Sequence, residues 1–171
     1  LGTLLQSAGA EIRGLGTPTI EIIGKKLKTP PSLIQIPPDR IETGTWIAAA
    51  IATRSPLTLN GCDASHMNAV LQIYRDMGNR IEVLNNGKTL SIEPSDRYRP
   101  VEVETAPYPG FPTDMQAQLL TALCLAQGKS VVVENIFENR FMHVAELVRL
   151  GANIQLDGNR AIVQGPAVLK G

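Results

Sequence analysis

The chain has 171 residues, and its 43% of hydrophobic residues are enough for the core of one domain or of a domain with part of a second. Lysine plus arginine and aspartate plus glutamate number 16 each, so no net charge attracts nucleic acid or an anionic membrane surface. No apolar run approaches the roughly 18 to 20 residues of a membrane span, and the two cysteines lack the spacing of a metal site or a redox pair. We therefore expect a cytoplasmic protein with no nucleic-acid or membrane partner, no metal and no cofactor.

The first residues read as the end of a helix. An apolar stripe at helical spacing precedes Gly9, formed by Leu1, Leu4, Leu5 and Ala8. Because no N-cap signal is visible before Leu4, the start of this helix is missing, and we expect the chain to be a fragment. Ala10–Ile12 and Thr19–Ile23, separated by glycine and proline, then predict a pair of strands.

One sequence plan occurs three times along the chain. Each copy has a helix end, a glycine, an isoleucine three residues later, a turn and a strand, and the glycines are Gly9, Gly78 and Gly151. Their spacing of roughly 70 residues is too long for a solenoid repeat but fits a βαβαββ unit. Glycine suits this position because it adopts the left-handed conformation that ends a helix.

The chain is thus predicted to contain the end of one unit and two complete βαβαββ units, at Pro38–Ile92 and Val101–Gly165. Their helices and strands are expected at Ile41–Thr53, Leu57–Leu59 and Ser65–Met77 in the first copy, and at Met115–Gly128, Ser130–Glu134 and Asn139–Leu150 in the second. The stretches 29–32 (TPPS) and 37–38 (PP) bracket a short extended segment, which we interpret as a crossing between domains. The sequence thus predicts an α/β (α+β) fold of repeated βαβαββ units.

The best candidate for chemistry is Asp114. Three prolines and a glycine within Pro107–Pro112 exclude regular structure, so a rigid loop leads the chain to Thr113. Thr113 and Gln116 form a capping-box pattern at the start of a helix. Asp114 would then lie in the first helical turn, where free backbone N–H groups and the helix dipole favour a carboxylate. A purely helix-stabilising role is equally consistent with this position.

Two further groups of polar residues are candidates for the site, one after a predicted strand and one at the start of a predicted helix. A cluster follows the strand at Ser130–Glu134 and consists of Glu134, Asn135, Glu138, Asn139 and Arg140. Beside a rigid loop such a cluster favours a site rim. Arg140 is interpreted either as a ligand contact or as an anchor for Glu138 or a strand-end carbonyl. Arg40, which follows the N-cap candidate Asp39, belongs either to the cleft rim or to an ion-paired surface.

Three long motifs stand at Pro38–Thr45 (PDRIETGT), Thr105–Gln118 (TAPYPGFPTDMQAQ) and Glu134–His143 (ENIFENRFMH). In order and spacing they resemble the UDP-N-acetylglucosamine enolpyruvyl transferases. The resemblance implies an inverse α/β prism, with two domains of three βαβαββ units each around a pseudo-threefold axis and the site in the cleft between them. Residues 1–36 would then be the tail of one domain, and residues 37–171 two of the three units of the other. The missing unit would leave apolar helix surface uncovered, so we expect the piece either to associate with itself or to be only marginally stable.

The resemblance also implies a reaction. The family transfers the enolpyruvyl group of phosphoenolpyruvate to the 3′-hydroxyl of UDP-N-acetylglucosamine, with release of phosphate, in the first committed step of bacterial peptidoglycan synthesis. Asp114 matches the aspartate that contacts this hydroxyl and is proposed as the base, and Ile136 matches a position that contacts the sugar nucleotide through its backbone. The family's cysteine loop and its phosphate-binding arginines and lysines have no counterpart in this chain, so we expect the isolated chain to be inactive. The shikimate-phosphate sister enzyme and a non-catalytic binding module are the alternatives.

Overall fold

A computed structural model describes residues 1–30, 33 and 35–170. The chain divides into two compact units, Leu1–Pro37 and Pro38–Gly171, which we call the N-terminal and C-terminal units. In the stretch predicted to cross between domains, Pro31, Ser32 and Ile34 lie outside the described residues. Among the helices of the described part, none combines the length and the hydrophobicity that crossing a bilayer requires.

The N-terminal unit has one short helix and one strand pair. They are α1 (Gly2–Ser7), β1 (Glu11–Arg13) and β2 (Glu21–Ile23). The two strands are antiparallel, with Ile12 opposite Ile22, which confirms the strand pair predicted from the sequence.

The C-terminal unit contains two successive repeats, each with its own sheet. The first repeat contains α2 (Arg40–Thr53), β3 (Leu57–Asn60), α3 (Asn68–Asp76), β4 (Arg80–Leu84) and β5 (Thr89–Glu93). The second contains β6 (Glu102–Glu104), α4 (Gln116–Leu123), β7 (Gly128–Val133), α5 (Val144–Arg149), β8 (Ile154–Asp157) and β9 (Arg160–Gly165).

The two sheets share one strand arrangement. Their strand orders are β3-β5-β4 and β6-β7-β9-β8, so the antiparallel set β7-β9-β8 repeats β3-β5-β4. The additional strand β6 pairs with β7 in parallel. Within the described residues, the first repeat begins at its helix and has three strands rather than the four of a full βαβαββ unit. The predicted mixed fold of repeated units is confirmed.

The three glycines of the repeated plan end three helices in the same way. Gly9, Gly78 and Gly151 have φ of +94°, +106° and +107°, a region that residues with a side chain seldom adopt. In each copy the glycine N–H donates to the carbonyl three residues earlier, and the next N–H donates to the carbonyl five residues earlier. The carbonyl just before the glycine accepts, at 2.8 Å in every copy, the N–H of a basic residue: Lys28, Arg99 or Lys170. The N-terminal unit thus has the helix end and strand pair of a third copy.

Close packing of α2 against the start of α4 joins the two repeats. A Cβ on Gly44 of α2 would lie 2.5 Å from Cε of Met115, so any larger residue at this position would require the end of that side chain to move. Around this contact the core is aliphatic and fully buried, with Ile47, Ile51, Leu119, Leu120 and Leu123 at 0% exposure. The Gln118 amide also donates to the Thr45 hydroxyl at 3.0 Å. Since Met115 follows Asp114, this packing fixes the turn that carries the candidate residue.

Candidate functional site

Glu134, the residue after β7, is the centre of the polar network in the second repeat. It is 3% exposed, and its Oε1 accepts three hydrogen bonds. The backbone N–H groups of Ile136 and Phe137 donate at 2.9 and 3.2 Å. The hydroxyl of Thr105, which follows β6, donates at 2.8 Å. This oxygen therefore shapes the turn that contains Ile136 and ties it to the neighbouring strand.

The second oxygen of Glu134 binds the turn that contains Asp114. Oε2 accepts the Thr113 hydroxyl at 2.8 Å and the Gln116 amide at 3.2 Å. The predicted capping box is therefore wrong: these two side chains bond to Glu134, and neither helical start receives a side-chain cap. The position of Asp114 was predicted correctly, because Thr113–Met115 forms a 3₁₀ turn with Asp114 as its acidic residue.

The Glu134 carboxylate is charged despite its burial. Burial raises the pKa of this group, but the hydrogen bonds from the Ile136 N–H, the Thr113 and Thr105 hydroxyls and the Phe137 N–H outweigh it. The net result is a pKa below the usual value of a glutamate. A buried carboxylate with this many donors is a rigid, anionic anchor for the loops around it.

Asp114 lies at the surface and forms an ion pair with Arg140. The Arg140 Nη2 donates to Asp114 Oδ1 at 2.8 Å, and the two side chains are 39% and 53% exposed. The guanidinium carbon also lies over the Phe137 ring, 5.2 Å from its centroid. Arg140 is therefore anchored by Asp114 and Phe137, not by Glu138 or a strand-end carbonyl. Among the described residues, Oδ2 of Asp114 has no hydrogen-bond partner, so one oxygen remains available to a ligand.

Ile136 is brought to the same network, on the other oxygen of Glu134. Its N–H is already engaged by Glu134 Oε1, so that group cannot bind a ligand. Within the described part of the chain, no donor reaches the Ile136 carbonyl. If this residue binds a ligand through its backbone, its carbonyl accepts the hydrogen bond from that ligand.

Arg40 lies apart from the Glu134 network. It is half-buried at the start of α2, where Asp39 caps the helix by accepting the Ile41 N–H at 2.7 Å, as predicted. Arg40 borders a cavity of about 20 Å³ with Ser65 and the proline-rich loop, which is room for about one water molecule. Its place on a cleft rim stays a prediction.

A larger cavity of about 570 Å³ opens beside Arg140. It lies between the β7–α5 loop and the β8–β9 turn, and exposed Phe137 and Met142 give it an apolar wall. Glu138 and Asn159 add polar groups. Across the residues that the structure describes, no group of three or more histidine, cysteine, aspartate or glutamate side chains is placed to hold a metal ion.

The role of Glu134 was missed at the sequence level, where it counted only as one member of a polar cluster. The available signal was a carboxylate directly after the apolar strand end Val131–Val133. A charge in that position is costly unless donors surround it, and the donors come from distant segments that no local pattern identifies.

The fold agrees with the comparisons to known proteins. The chain belongs to the EPSP synthase (3-phosphoshikimate 1-carboxyvinyltransferase) family, whose model matches residues 1–171. It is similar to the UDP-N-acetylglucosamine 1-carboxyvinyltransferase of Desulfosudis oleivorans, with 46% identity over 168 residues covering 98% of this chain and 40% of the relative. The protein of the same name from Geobacter metallireducens is 44% identical over 171 residues, covering 100% of this chain and 40% of its own.

Solved structures show the same likeness. The enolpyruvyl transferase NikO from Streptomyces tendae matches with a TM-score of 0.85 and 28% identity over 98% of this chain and 40% of that one. An EPSP synthase from Acinetobacter baumannii matches with a TM-score of 0.58 and 19% identity over 97% of this chain and 38% of that one, which supports the fold alone. The chain thus spans about 40% of the length of the curated relatives described above.

Proposed function

We propose that this chain is part of a cytoplasmic enzyme that transfers the enolpyruvyl group of phosphoenolpyruvate to the 3′-hydroxyl of UDP-N-acetylglucosamine and releases phosphate. This reaction would serve bacterial peptidoglycan synthesis, and hence cell shape and division. The observation that carries the proposal is that Asp114 and Ile136, the two residues matched to sugar-nucleotide contacts, lie on turns bonded to the same Glu134 carboxylate. The proposal is supported by relatives named UDP-N-acetylglucosamine 1-carboxyvinyltransferase, which are 44–46% identical over nearly the whole chain.

The geometry of Asp114 suits a group that accepts the hydroxyl proton. Its Oδ1 is held by Arg140 and its side chain is half-exposed, so Oδ2 can accept a substrate hydroxyl without first breaking a hydrogen bond. As the hydroxyl oxygen bonds to the enol carbon of phosphoenolpyruvate, its proton moves toward this carboxylate. The Ile136 carbonyl accepts a hydrogen bond from the sugar nucleotide and fixes its orientation.

The remaining chemistry requires groups that these turns do not supply. Addition to the enol needs a proton donor for the neighbouring carbon, and both substrates carry negative charge that needs cationic partners. We assign those groups to segments beyond this chain. Residues 1–36 correspond to the tail of one enolpyruvyl transferase domain and residues 37–171 to two of three units of the other. Self-association of the isolated piece stays a prediction.

Asp114→Asn tests the proposal in the full-length protein that carries this chain. The change keeps the shape and one acceptor but removes the charge that takes up the proton. We expect turnover to fall by ~10²- to 10⁴-fold, while the dissociation constant for UDP-N-acetylglucosamine changes only a few-fold. Phosphate release gives the first quantity, and calorimetric titration gives the second.

Asp96→Asn is the matched control, because Asp96 is exposed between the two repeats and takes no part in the Glu134 network. Its turnover should equal that of the parent. If Asp114 only stabilises its turn, Asp114→Asn would instead cost about 0.3–1 kcal/mol of stability. Turnover within a few-fold of the parent would then show that Asp114 is not the base.

A further inference from the structure

Glu134 connects the two turns on which the proposed function rests. Its five accepted hydrogen bonds come from three separate stretches of chain: the end of β6, the start of α4 and the loop after β7. The division between its oxygens is clear. Oε2 receives Thr113 and Gln116, which flank Asp114, whereas Oε1 receives the Ile136 N–H.

We propose that Glu134 is a positioning residue that sets the distance and orientation of Asp114 relative to the Ile136 carbonyl, and so aligns the sugar-nucleotide hydroxyl with the base. The inference rests on the proposed function. It follows from geometry, because the two oxygens of one planar carboxylate lie at a fixed separation. Any displacement of the carboxylate shifts both turns, and a misplacement of about 1 Å is enough to lower a rate by about 10²-fold.

The backbone of Glu134 is held as firmly as its side chain. Its N–H donates to the Asn159 carbonyl at 2.8 Å, and its carbonyl accepts the Asn159 amide at 3.1 Å. The Thr105 hydroxyl donates to the Glu134 carboxylate and accepts the Asn135 N–H at 2.9 Å. These contacts fix both the backbone and the carboxylate of Glu134 in place, which a positioning residue requires.

A carboxylate is the side chain that suits this place. All five bonds are donated to it, and an ionised carboxylate is a pure acceptor with about four lone-pair sites. Glutamine has the same reach but carries donors on one end. Thr113 and Gln116 can turn to accept from that end, since a hydroxyl and an amide each act in both senses. Aspartate keeps the charge but withdraws it by about 1.5 Å, the length of one C–C bond.

A positioning role therefore predicts an order of kcat values among the Glu134 variants that the loss of charge alone would not predict. In the full-length protein, Glu134→Asp should lower kcat by about 10- to 100-fold, while Glu134→Gln should keep kcat within about fivefold of the parent because the reach is preserved. Glu102→Asp, on the exposed side of β6, is the matched control and should match the parent.

The decisive measurement is a double-variant comparison with Asp114→Asn. If Glu134 acts through Asp114, then Asp114→Asn combined with Glu134→Asp should have a kcat within about threefold of Asp114→Asn alone. A residue that affects turnover independently of Asp114 would give losses that multiply. Circular dichroism at the assay temperature checks that every variant is folded. Should Glu134→Asp not fold, Thr113→Val removes one donor to Oε2 and is measured in the same comparison, with an expected loss of about 3- to 10-fold.

The outcomes separate the two proposals. A large loss in Asp114→Asn together with a kcat within twofold of the parent in Glu134→Asp would leave the proposed function standing and overturn the positioning role. Multiplying losses, or a greater loss in Glu134→Gln than in Glu134→Asp, would also overturn it. Parent-level turnover in Asp114→Asn would overturn the proposed function itself and with it this inference.

Discussion

At the scale of single residues, Glu134 makes the stability of the fold sensitive to acid. Its pKa is lowered in the folded chain, because hydrogen bonds from Ile136, Thr113, Thr105 and Phe137 outweigh the opposing effect of burial. The unfolded chain therefore binds this proton more readily, so the stabilisation is complete above the unfolded pKa of about 4.3 and is lost as the pH falls through the folded value. We expect Glu134→Gln to lower the free energy of unfolding by about 1–3 kcal/mol at pH 7, and the difference from the parent to shrink below about pH 4.

Urea unfolding of this chain at several pH values measures that difference. Other carboxylates also titrate in acid: hydrogen bonds from Ser65 and Lys88 hold the pKa of Asp63 at about 2. Subtracting the variant curve from the parent curve isolates Glu134. The control is Glu146→Gln, which breaks an exposed pair with Arg149 and should follow the parent within about 0.5 kcal/mol. A constant gap between parent and Glu134→Gln at all pH values would contradict the assignment.

What the sequence could predict at this scale depended on whether a contact is local. Asp39 caps α2 through a bond to Ile41, two residues away, and this was foreseen. Thr113 and Gln116 also looked like a local cap, but their partner Glu134 is 21 and 18 residues away. A sequence pattern predicts contacts between near neighbours in the chain. It does not predict contacts between distant residues, because these depend on how strands and loops meet in space.

At the scale of elements, the contact between α2 and the turn before α4 leaves little room for a larger side chain at Gly44. Alanine normally stabilises a helix interior by about 1 kcal/mol relative to glycine. At Gly44, however, the added Cβ would lie 2.5 and 2.7 Å from the Cε and Sδ atoms of Met115, which is fully buried and has no solvent to move into. Overpacking of this kind costs about 1–3 kcal/mol, so we expect Gly44→Ala to lower the free energy of unfolding by about 1 kcal/mol.

Chemical denaturation of the parent and variant chains checks this sign. Met115→Val removes both clashing atoms, so its combination with Gly44→Ala should cost less than the sum of the two single changes. Gly24→Ala serves as the control: Gly24 has open space around its Cβ position, and the change should stay within about 0.5 kcal/mol. A more stable Gly44→Ala chain would show that Met115 rearranges freely.

Element types were predictable, but some boundaries were not. The helix expected at Asn139–Leu150 begins only at Val144. Asn139 has φ of +55°, a left-handed conformation that excludes it from a helix, and Arg140 turns instead toward Asp114. The strands and helix ends next to glycine were predicted well because the glycine itself determines the backbone there.

At the scale of the whole molecule, the repeated plan was visible in the sequence because its marker is local: three glycines, each followed by an isoleucine at the same distance. The structure adds a feature that the sequence alone could not give. In every copy the chain returns about 20 residues later and donates an N–H to the carbonyl before the glycine. This return depends on the intervening strand pair, whose length and twist no single residue encodes.

The division of the proposed site between this chain and other segments leads to the final prediction. Within the described site, Arg140 is the cation nearest to Asp114 and is already paired with it, while two anionic substrates need several cationic partners. The resemblance assigns those partners, and the proton-donating cysteine, to segments outside residues 1–171. Since catalysis requires both walls of a cleft to hold the reactants together, we expect this chain alone to release no phosphate above background when given phosphoenolpyruvate and UDP-N-acetylglucosamine. The full-length protein, assayed at the same molar concentration, is the positive control, and turnover by the isolated chain comparable to it would show that residues 1–171 contain the complete catalytic machinery.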